Sequence, residues 1–366
     1  MSPNTPRVIL LGLDGFPLEA LSPELTPHLW ALGASGGRAP AGGQTALPST
    51  TYPGFATLLT GRLPPGHGVW STNIGRAAPA WAGQSQVGAR TLFDACRAAG
   101  LRSAAIQGDH LLHTVLQTTA ASLRWPPDGV IPPGTPRETH GYPSDAAVRP
   151  HLLEAVADRT IGFVFGHLNE TDSLGHDHGP ADPRTLACCA QADAIVGNVV
   201  QALGPDWPRT VVVVVSDHDQ EPRTDRSPID LLADQRVAVI ADDVWPDGGA
   251  ALVHLRPGVE HERAAAVLEC VDGVDCSAPL GPEVLVVGAV VGHLFRAPGY
   301  AAGGFHGGPT TARTLALVGG GHPAVPRIAA AIAAHPPHLA DWAPTIATVL
   351  GLDGLATDGR DLTTAA

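Results

Sequence analysis

Residues 210–219 have the sequence TVVVVVSDHD, in which five consecutive valines lead into two aspartates and a histidine. An uninterrupted β-branched run of this length is typical of a strand that is buried on both faces of a parallel sheet. Similar apolar runs, at 7–13 and 160–168, alternate with helical patterns at 144–158 and 180–203. We therefore predict an α/β fold, in which a mainly parallel sheet is sandwiched between helices.

Beyond the valine strand the pattern changes. Short β-rich segments and one helical pattern, at 261–271, continue to about residue 300 of the 366. We therefore predict an α/β core formed by 1–219 and 301–366, into which 220–300 insert a smaller α+β cap subdomain. Within the core, the stretch 118–142 is rich in Pro, Gly and Thr and predicts a long loop.

The charge of the chain limits its partners. The net charge is −13, and all 22 basic residues are arginine. A nonspecific nucleic-acid binder or a protein that binds anionic membranes would carry a basic surface instead. We therefore expect neither a nucleic-acid polymer nor a membrane as partner. A small anionic substrate remains possible if metal ions supply the local positive charge.

The cysteines and the N-terminal residues indicate the cellular compartment in which we expect the protein. The five cysteines are an odd number without a CxxC pair, so the sequence suggests neither a disulfide framework nor a thiolate zinc site. The chain enters its first predicted strand without a charged leader or a long apolar core. From these features we expect a cytoplasmic protein, and the sequence gives no basis for an oligomeric state.

Carboxylates and imidazoles follow three of the predicted strands. Asp14 follows the first run, Asp172 and His176 follow the second, and Asp217 and His218 follow the valines. Because the carboxyl ends of parallel strands meet at one edge of a sheet, these side chains are expected to lie together. Mixed carboxylate and imidazole ligation suits zinc. We therefore predict a metal site, with ligands enough for two ions, at this edge.

A further histidine, His306, lies in the glycine-rich segment GGFHGG, where the backbone can bend to aim one side chain. Taken alone, each candidate has a plainer explanation. Asp14 belongs to an Asp-Gly turn dipeptide, and Asp172 and His176, four residues apart, would also form a surface ion pair on one helix face. Because all of these residues are expected at one edge of the sheet, we favour the metal site over these plainer explanations. His67, His167 and His178 flank these motifs and are candidates for shaping it.

Thr51 is the candidate nucleophile. It opens a predicted helix at 51–61, where backbone N–H groups and the helix dipole favour the negative charge of a phosphoryl group. A free threonine hydroxyl is a weak nucleophile and needs a base or a metal ion to activate it. Ser49, Thr50 and Thr51 would equally serve as helix-capping residues, and the two roles are compatible.

Taken together, the motifs resemble the alkaline phosphatase superfamily, in its type I phosphodiesterase/nucleotide pyrophosphatase branch. They occur in the order of that family and span nearly the whole chain. The matching segments are LDGF at 13–16, TPHLWALGASG at 26–36, TTYPGFATLLTGRLPPGHGVW at 50–70, TDSLGHDHGP at 171–180, SDHD at 216–219, FHGG at 305–308 and DWAPTIATVLGL at 341–352.

The resemblance implies an alkaline-phosphatase-like core, two zinc ions, with manganese or iron as alternatives, and the hydrolysis of phosphodiester or pyrophosphate bonds through a phospho-threonine intermediate. The implied ligands of one ion are Asp172, His176 and His306. Those of the other are Asp14, Asp217 and His218, with Thr51 as the reactive ligand. Asn73 is the residue that the resemblance assigns to the phosphoryl oxygens.

The sequence departs from the family pattern close to the nucleophile. Gly54 and Phe55 occupy the positions of the family's Asn-His, and SDHD replaces the usual SDHG, ending in Asp219. No segment resembles the branch's nucleotide-specific Trp-Pro-Gly motif, so a nucleotide substrate does not follow from the sequence. Tyr52 occupies a position that is often aromatic, where it would either stack on a substrate or pack at the helix start.

Other functions share this metal chemistry. Residues 91–112 resemble phosphonoacetate hydrolase, which cleaves a C–P bond, but Gly108 and His110 are found near the positions of that enzyme's lysines. A phosphomonoesterase would need a cation for the terminal phosphate, for which Arg62 is a candidate by proximity only. A sulfatase lacks support because there is no Cys-x-Pro-x-Arg element. A metal-binding module without catalysis is the alternative from another functional class.

Overall fold

The computed structural model describes residues 5–74, 80–81, 86–296 and 303–364, with the side chains of residues 73, 74, 80 and 81 excepted. In chain order, the helices of this part are α1 (Pro27–Ser35), α2 (Thr51–Thr60), α3 (Pro64–His67), α4 (Leu92–Ala98), α5 (Leu112–Val115), α6 (Asp145–Ala157), α7 (Glu170–His178), α8 (Pro183–Leu203), α9 (Gln235–Ala238), α10 (His261–Leu268), α11 (Val325–Ala334) and α12 (Trp342–Leu350).

The strands, again in chain order, are β1 (Arg7–Leu13), β2 (Gly37–Arg38), β3 (Gly43–Gln44), β4 (Asn73–Ile74), β5 (Ala80–Trp81), β6 (Ser103–Gln107), β7 (Leu123–Trp125), β8 (Phe163–Leu168), β9 (Thr210–Val215), β10 (Glu221–Pro222), β11 (Ala241–Asp247), β12 (Ala250–Leu255), β13 (Val274–Gly281), β14 (Val284–Ala289), β15 (Gly304–Phe305), β16 (Arg313–Thr314) and β17 (Ala316–Gly319).

The central sheet has seven strands in the order β2-β17-β9-β1-β8-β6-β7. β1 pairs in parallel with β8 and β9, and β6 pairs in parallel with β8 and β7. β17 is antiparallel to β9 and β2, at one edge. The mainly parallel α/β sheet predicted from the sequence is thus confirmed, and its antiparallel edge was not predicted.

Both faces of the sheet are covered, which explains the uninterrupted apolar runs. In β9, Val211 and Val213 enter one buried cluster, while Val212 and Val214 enter the other. Helices α2, α4, α11 and α12 contribute to the first cluster, and α1, α6 and α8 to the second. A valine strand therefore finds apolar partners on both sides, as expected for the middle of a layered α/β domain.

The prediction of a loop at 118–142 is wrong for three of its residues. Residues Leu123–Trp125 form β7, whose Leu123 pairs with Ala104 of β6. The strand is only three residues long and its Leu123 is exposed, so the sequence carries no alternation or apolar run that would mark it. The rest of the segment contains short 3-10 turns and a hydrogen-bonded loop before α6.

A second, four-stranded antiparallel sheet has the order β11-β12-β14-β13. One of its faces packs on α10 through Ala264 and Leu268, forming a buried cluster separate from the two of the central sheet. All of these elements lie within 220–300, the range assigned to the cap from the sequence. The boundaries of that subdomain stay a prediction.

By length and composition alone, the segment Pro183–Arg209, which contains α8, is apolar enough to cross a membrane. In the fold, its Cys189, Val196 and Val199 are buried in the cluster on one face of the central sheet. Core helices of globular proteins meet the same criteria, so the segment carries no argument for a membrane. The cytoplasmic location stays a prediction.

Candidate metal centre and active site

The carboxyl edge of the central sheet brings the predicted residues together. The register pairs Gly12 with Val215 and Leu13 with Leu168, so the residues that follow β1, β8 and β9 leave the sheet side by side. Asp14 continues β1, and its N–H donates to the Leu168 carbonyl at 2.9 Å. The parallel arrangement read from the apolar runs therefore sets the location of the site.

Helix α7 presents Asp172 and His176 because its start is fixed by a reciprocal cap with α6. The Asp145 carboxylate accepts from the Asn169 N–H at 2.9 Å, and the Glu170 carboxylate accepts from the Asp145 N–H at 2.7 Å. Acidic side chains at helix N-termini satisfy N–H groups that lack a partner within the helix. The two helices thus hold each other at the amino end of α7.

Asp172, His176 and His306 form the first cluster. His176 Nε2 lies 3.0 Å from His306 Nε2 and 3.5 Å from an Asp172 carboxylate oxygen, and His306 Nε2 lies 3.7 Å from the other Asp172 oxygen. The Nδ1–H groups of His176 and His306 donate to the carbonyls of Gly304 and Ser49, each at 3.2 Å. The Nε2 atoms, which these carbonyls do not contact, therefore face each other, an arrangement that a bound cation stabilises.

Asp14, Asp217, His218 and Thr51 form the second cluster. His218 Nε2 lies 3.2 Å from Asp217 Oδ2 and 3.5 Å from Asp14 Oδ1. Thr51 Oγ1 lies 3.4 Å from both Asp14 Oδ1 and His218 Nε2. The His218 Nδ1–H donates to the Asp219 carbonyl at 3.0 Å, which leaves Nε2 as an acceptor directed at the acidic groups.

The two clusters adjoin through Asp172. Oxygen and nitrogen atoms of Asp172, His176 and His306 lie within 4.8 Å of one another, and so do those of Asp14, Asp172 and His218. The rings of His218 and His306 stack with centroids 3.8 Å apart. The structure therefore brings all seven predicted metal-site residues into one group, while their division between two ions stays a prediction.

Electrostatics favour a cation in this group. Burial, followed by the charge of Asp172, raises the pKa of Asp217 well above its usual range, and burial followed by Asp217 and Asp172 does the same for Asp14. Burial lowers the pKa of His218 to about 3, so its ring is neutral at pH 7. Asp217 Oδ2 is buried and accepts no hydrogen bond from the described residues. Closely spaced buried carboxylates and neutral imidazoles match the donor set of a divalent metal ion.

The predictions for Thr51, Asn73 and Tyr52 have different outcomes. Thr51 is the first residue of α2, as predicted, and is 8% exposed. Asn73 lies in the short strand β4, paired with Trp81, but its side chain lies outside the described residues, so its role stays a prediction. Tyr52 is 1% exposed and contributes to the main core cluster, which favours the packing role over stacking on a substrate.

Two side chains orient the predicted ligands. The His167 Nε2–H donates to Asp14 Oδ2 at 3.0 Å, and its Nδ1 accepts from the Asp109 N–H. Gln220 Nε2 donates to Asp172 Oδ1 at 2.6 Å. His167 is a candidate in the sequence because it flanks the motif of Asp172 and His176, whereas nothing in the sequence marks Gln220.

The flanking histidines differ in role. His67, also a candidate, instead contacts Thr57 Oγ1 at 3.0 Å and accepts from the Val69 N–H, within the core. His178 is the last residue of α7, two residues beyond His176. Of the three histidines flanking the motifs, His167 is the one that the structure joins to a predicted ligand.

Comparisons with known proteins identify relatives of this chain. A relative from Schizosaccharomyces pombe, named as an uncharacterized pyrophosphatase/phosphodiesterase, is 25% identical over an alignment of 277 positions, and the match covers 66% of this chain and 50% of the relative. The chain thus spans about half the length of that relative. Solved structures of murine and human ectonucleotide pyrophosphatase/phosphodiesterase 5 share the fold, with TM-scores of 0.71 and 0.70, identities of 17% and 16%, and 97% of each chain covered.

The family itself follows from a longer match. The family model described as type I phosphodiesterase/nucleotide pyrophosphatase matches residues 8–287, which include every predicted ligand except His306. Together with the fold and the clustered carboxylates and histidines, this match shows that the chain belongs to the type I phosphodiesterase/nucleotide pyrophosphatase family.

Proposed function

We propose that this protein is a metal-dependent hydrolase that cleaves phosphodiester or pyrophosphate bonds with Thr51 as its nucleophile. The observation that carries the proposal is the position of Thr51 Oγ1, 3.4 Å from both Asp14 and His218, at the start of a helix and beside the clustered carboxylates and imidazoles. A helix start favours an anionic phosphoryl group. Divalent cations at such a site stabilise charge on the attacking and leaving oxygens.

The residues of the chain would have the following roles in the reaction. Thr51 Oγ1 attacks phosphorus, so that a bond to threonine forms while the bond to the leaving oxygen breaks. The hydroxyl proton of Thr51 lies within reach of Asp14 Oδ1. Water then attacks the phospho-threonine and restores the hydroxyl. His167 keeps Asp14 oriented throughout, because its Nε2–H donates to the other carboxylate oxygen.

A related protein supports the proposed role of the threonine. A further murine structure of ectonucleotide pyrophosphatase/phosphodiesterase 5 is that of an inactive threonine-to-alanine variant in complex with AMP. For the present chain we infer a small phosphate-containing substrate, and nucleotides are the first class to examine. Zinc is the preferred metal because the ligands are carboxylates and imidazoles, with manganese and iron as alternatives.

The alternative of a C–P bond hydrolase is less well supported. Such an enzyme resembling phosphonoacetate hydrolase would need a cationic side chain near the end of β6. The residues that follow β6 are Gly108, Asp109 and His110. Asp109 is 2% exposed and burial raises its pKa to about 7, while burial lowers the pKa of His110 and so disfavours a cation there. A buried carboxyl group offers no attraction to an anionic carboxylate substrate.

The test compares turnover of bis-p-nitrophenyl phosphate with that of p-nitrophenyl phosphate by the zinc-loaded protein. We expect the diester to be preferred, and we expect Thr51→Ala to abolish turnover while metal content, measured by elemental analysis, stays unchanged. Thr60→Ala, at the other end of the same helix, is the matched control and should keep wild-type turnover.

Other outcomes would redirect the assignment. Preference for the monoester would identify a phosphomonoesterase, and full activity of metal-loaded Thr51→Ala would exclude Thr51 as nucleophile. Absence of turnover with both substrates would contradict a general diesterase and make phosphonoacetate the next substrate to assay.

A further inference from the structure

A hairpin of the four-stranded sheet reaches the active site. β11 and β12 are joined by Gly248 and Gly249, so that Asp247 pairs with Ala250. The Gly249 N–H donates to the His306 carbonyl at 2.7 Å. Gly248 has a φ of +65°, and a Cβ atom there would collide with the same carbonyl oxygen. Only glycine permits so close an approach of the hairpin tip to a predicted metal ligand.

The carboxylate of Asp247 joins two further parts of the site. One of its oxygens, Oδ2, accepts from Ser71 Oγ at 2.6 Å, from the Thr72 N–H at 3.0 Å and from Thr50 Oγ1 at 3.3 Å. The side chain is 3% exposed. Hydrogen bonds to a buried carboxylate are shorter and stronger than those between neutral groups.

These partners lie next to residues with predicted catalytic roles. Thr50 is the N-cap residue of α2 and immediately precedes Thr51. Thr72 immediately precedes Asn73, the candidate for holding phosphoryl oxygens. The hairpin therefore fixes three separate pieces of the site relative to one another: the nucleophile, the segment before Asn73, and His306.

We propose that Asp247 is a positioning residue for the reaction, through which the hairpin of the four-stranded sheet holds Thr51 and the segment before Asn73 in register. This inference rests on the proposed role of Thr51 as nucleophile. Asp247 acts through Thr50, Ser71 and Thr72. A displacement of the nucleophile by about 1 Å is enough to reduce turnover on the order of a hundredfold.

The experiment compares Asp247→Ala and Asp247→Asn in the zinc-loaded full chain, with Asp243→Ala as matched control. Asp243 lies on the same strand, where its carboxylate accepts from Trp245 Nε1 at 2.8 Å. For Asp247→Ala we expect kcat to fall roughly 10- to 100-fold, with KM changed much less and metal content unchanged. Asn should restore most of kcat, because its amide oxygen can accept the same hydrogen bonds. The control should keep wild-type kcat.

Wild-type kcat in Asp247→Ala would overturn the inference, and so would an Asn variant as impaired as the Ala variant. If Asp247→Ala does not fold, Ser71→Ala replaces it, because it removes the shortest of the three contacts. We then expect Ser71→Ala to lower kcat severalfold with metal content unchanged, whereas wild-type kcat in Ser71→Ala would refute the role.

The two proposals fail in different ways. Turnover that survives in Thr51→Ala removes the nucleophile and with it the basis for this inference. Turnover that depends on Thr51 but is insensitive to Asp247 removes the positioning role alone.

Discussion

Three histidines of the site share one arrangement of their ring nitrogens. His176, His218 and His306 each donate Nδ1–H to a backbone carbonyl, of Gly304, Asp219 and Ser49 respectively. The backbone therefore selects the tautomer in which Nε2 is unprotonated, and Nε2 is the atom that faces the carboxylates. Hydrogen bonds of this kind orient metal-ligating imidazoles and raise their basicity. Main-chain contacts thus fix the orientation of these three predicted ligands.

His167 provides a test of the same principle for a carboxylate ligand. We expect His167→Phe to weaken zinc binding about 10- to 100-fold, because Asp14 loses its Nε2–H donor while the ring volume is kept between Phe55 and Phe165. Zinc affinity is measured by competition with a chromophoric chelator. His113→Phe, which replaces another buried histidine away from the site, should leave the affinity unchanged. Equal affinities in all three proteins would contradict the orienting role.

Gly54, which departs from the family pattern, packs closely against Asp217. A Cβ atom at this position would lie 2.9 Å from the Asp217 Cβ, so that any larger residue displaces α2 or Asp217. We expect Gly54→Ala to lower the free energy of unfolding by about 1–3 kcal/mol and to reduce turnover at least tenfold. Urea unfolding and diester turnover measure the two effects. Gly88→Ala is the control, since its nearest atom beyond the adjoining residues, the His67 carbonyl oxygen, would be 3.7 Å away. Wild-type behaviour of Gly54→Ala would mean that the space can be filled.

Among the secondary-structure elements, α6 and α7 are coupled through their amino ends. Asp145 is 2% exposed, and burial, followed by repulsion from Glu170, raises its pKa to about 7. In the unfolded chain an aspartate releases its proton near pH 4. Between roughly pH 4 and 7 the folded state therefore binds more protons, and this carboxyl group makes stability fall as pH rises through that window.

The corresponding prediction concerns Asp145→Asn. The amide does not ionise, yet its oxygen can accept from the N–H groups of Asn169 and Glu170 as the carboxylate does. We expect the stability of this variant relative to wild type to increase from pH 4.5 to pH 7.5, as measured by urea unfolding. Glu154→Gln, an exposed position on the same helix, should show a constant difference. Parallel profiles for Asp145→Asn and wild type would refute the pKa assignment.

Elements with strong local signals could be predicted, and those stabilised by distant partners could not. The runs that form β1, β8 and β9 are apolar throughout because both faces are buried, so the parallel sheet and the residues after each strand followed from the sequence. The short strand β7 carries no such pattern. Gln220 and Asp247 make their decisive contacts with Asp172 and with Ser71, which are far away in the chain. Such contacts depend on tertiary pairing and leave no periodic signal.

At the level of the whole molecule, the two ends of the central sheet are built in opposite ways. The carboxyl end gathers buried acidic groups that repel one another without a cation. At the amino end, Asp206 is surrounded by arginines, with Arg7, Arg159 and Arg209 at 2.9, 2.7 and 3.1 Å. Arg7 begins β1 and is fully buried, and its guanidinium also donates to the carbonyls of Val156 and Ile161. The charges at the amino end are thus compensated by side chains of the chain itself, whereas those at the carboxyl end are not.

The arginines around Asp206 allow us to predict the effect of Asp206→Asn. Burial alone would raise the pKa of Asp206, but hydrogen bonds and charges from the arginines outweigh it and lower the pKa to about 2. The carboxylate therefore stabilises the fold above about pH 4, the unfolded value, and this contribution is lost as pH falls through 2. We expect Asp206→Asn to cost about 3–5 kcal/mol at pH 7, because Arg7 is left buried without its partner.

Urea unfolding at pH 7 and at pH 2.5 measures the difference, which should shrink at the lower pH. Asp182→Asn is the control, because Asp182 forms an ion pair with the exposed Arg184 and asparagine also caps α8. Diester turnover of the folded Asp206→Asn protein should equal that of wild type, since β1 places about 20 Å between Arg7 and Asp14. A loss of turnover without a loss of stability would show that the two ends of the sheet are not independent.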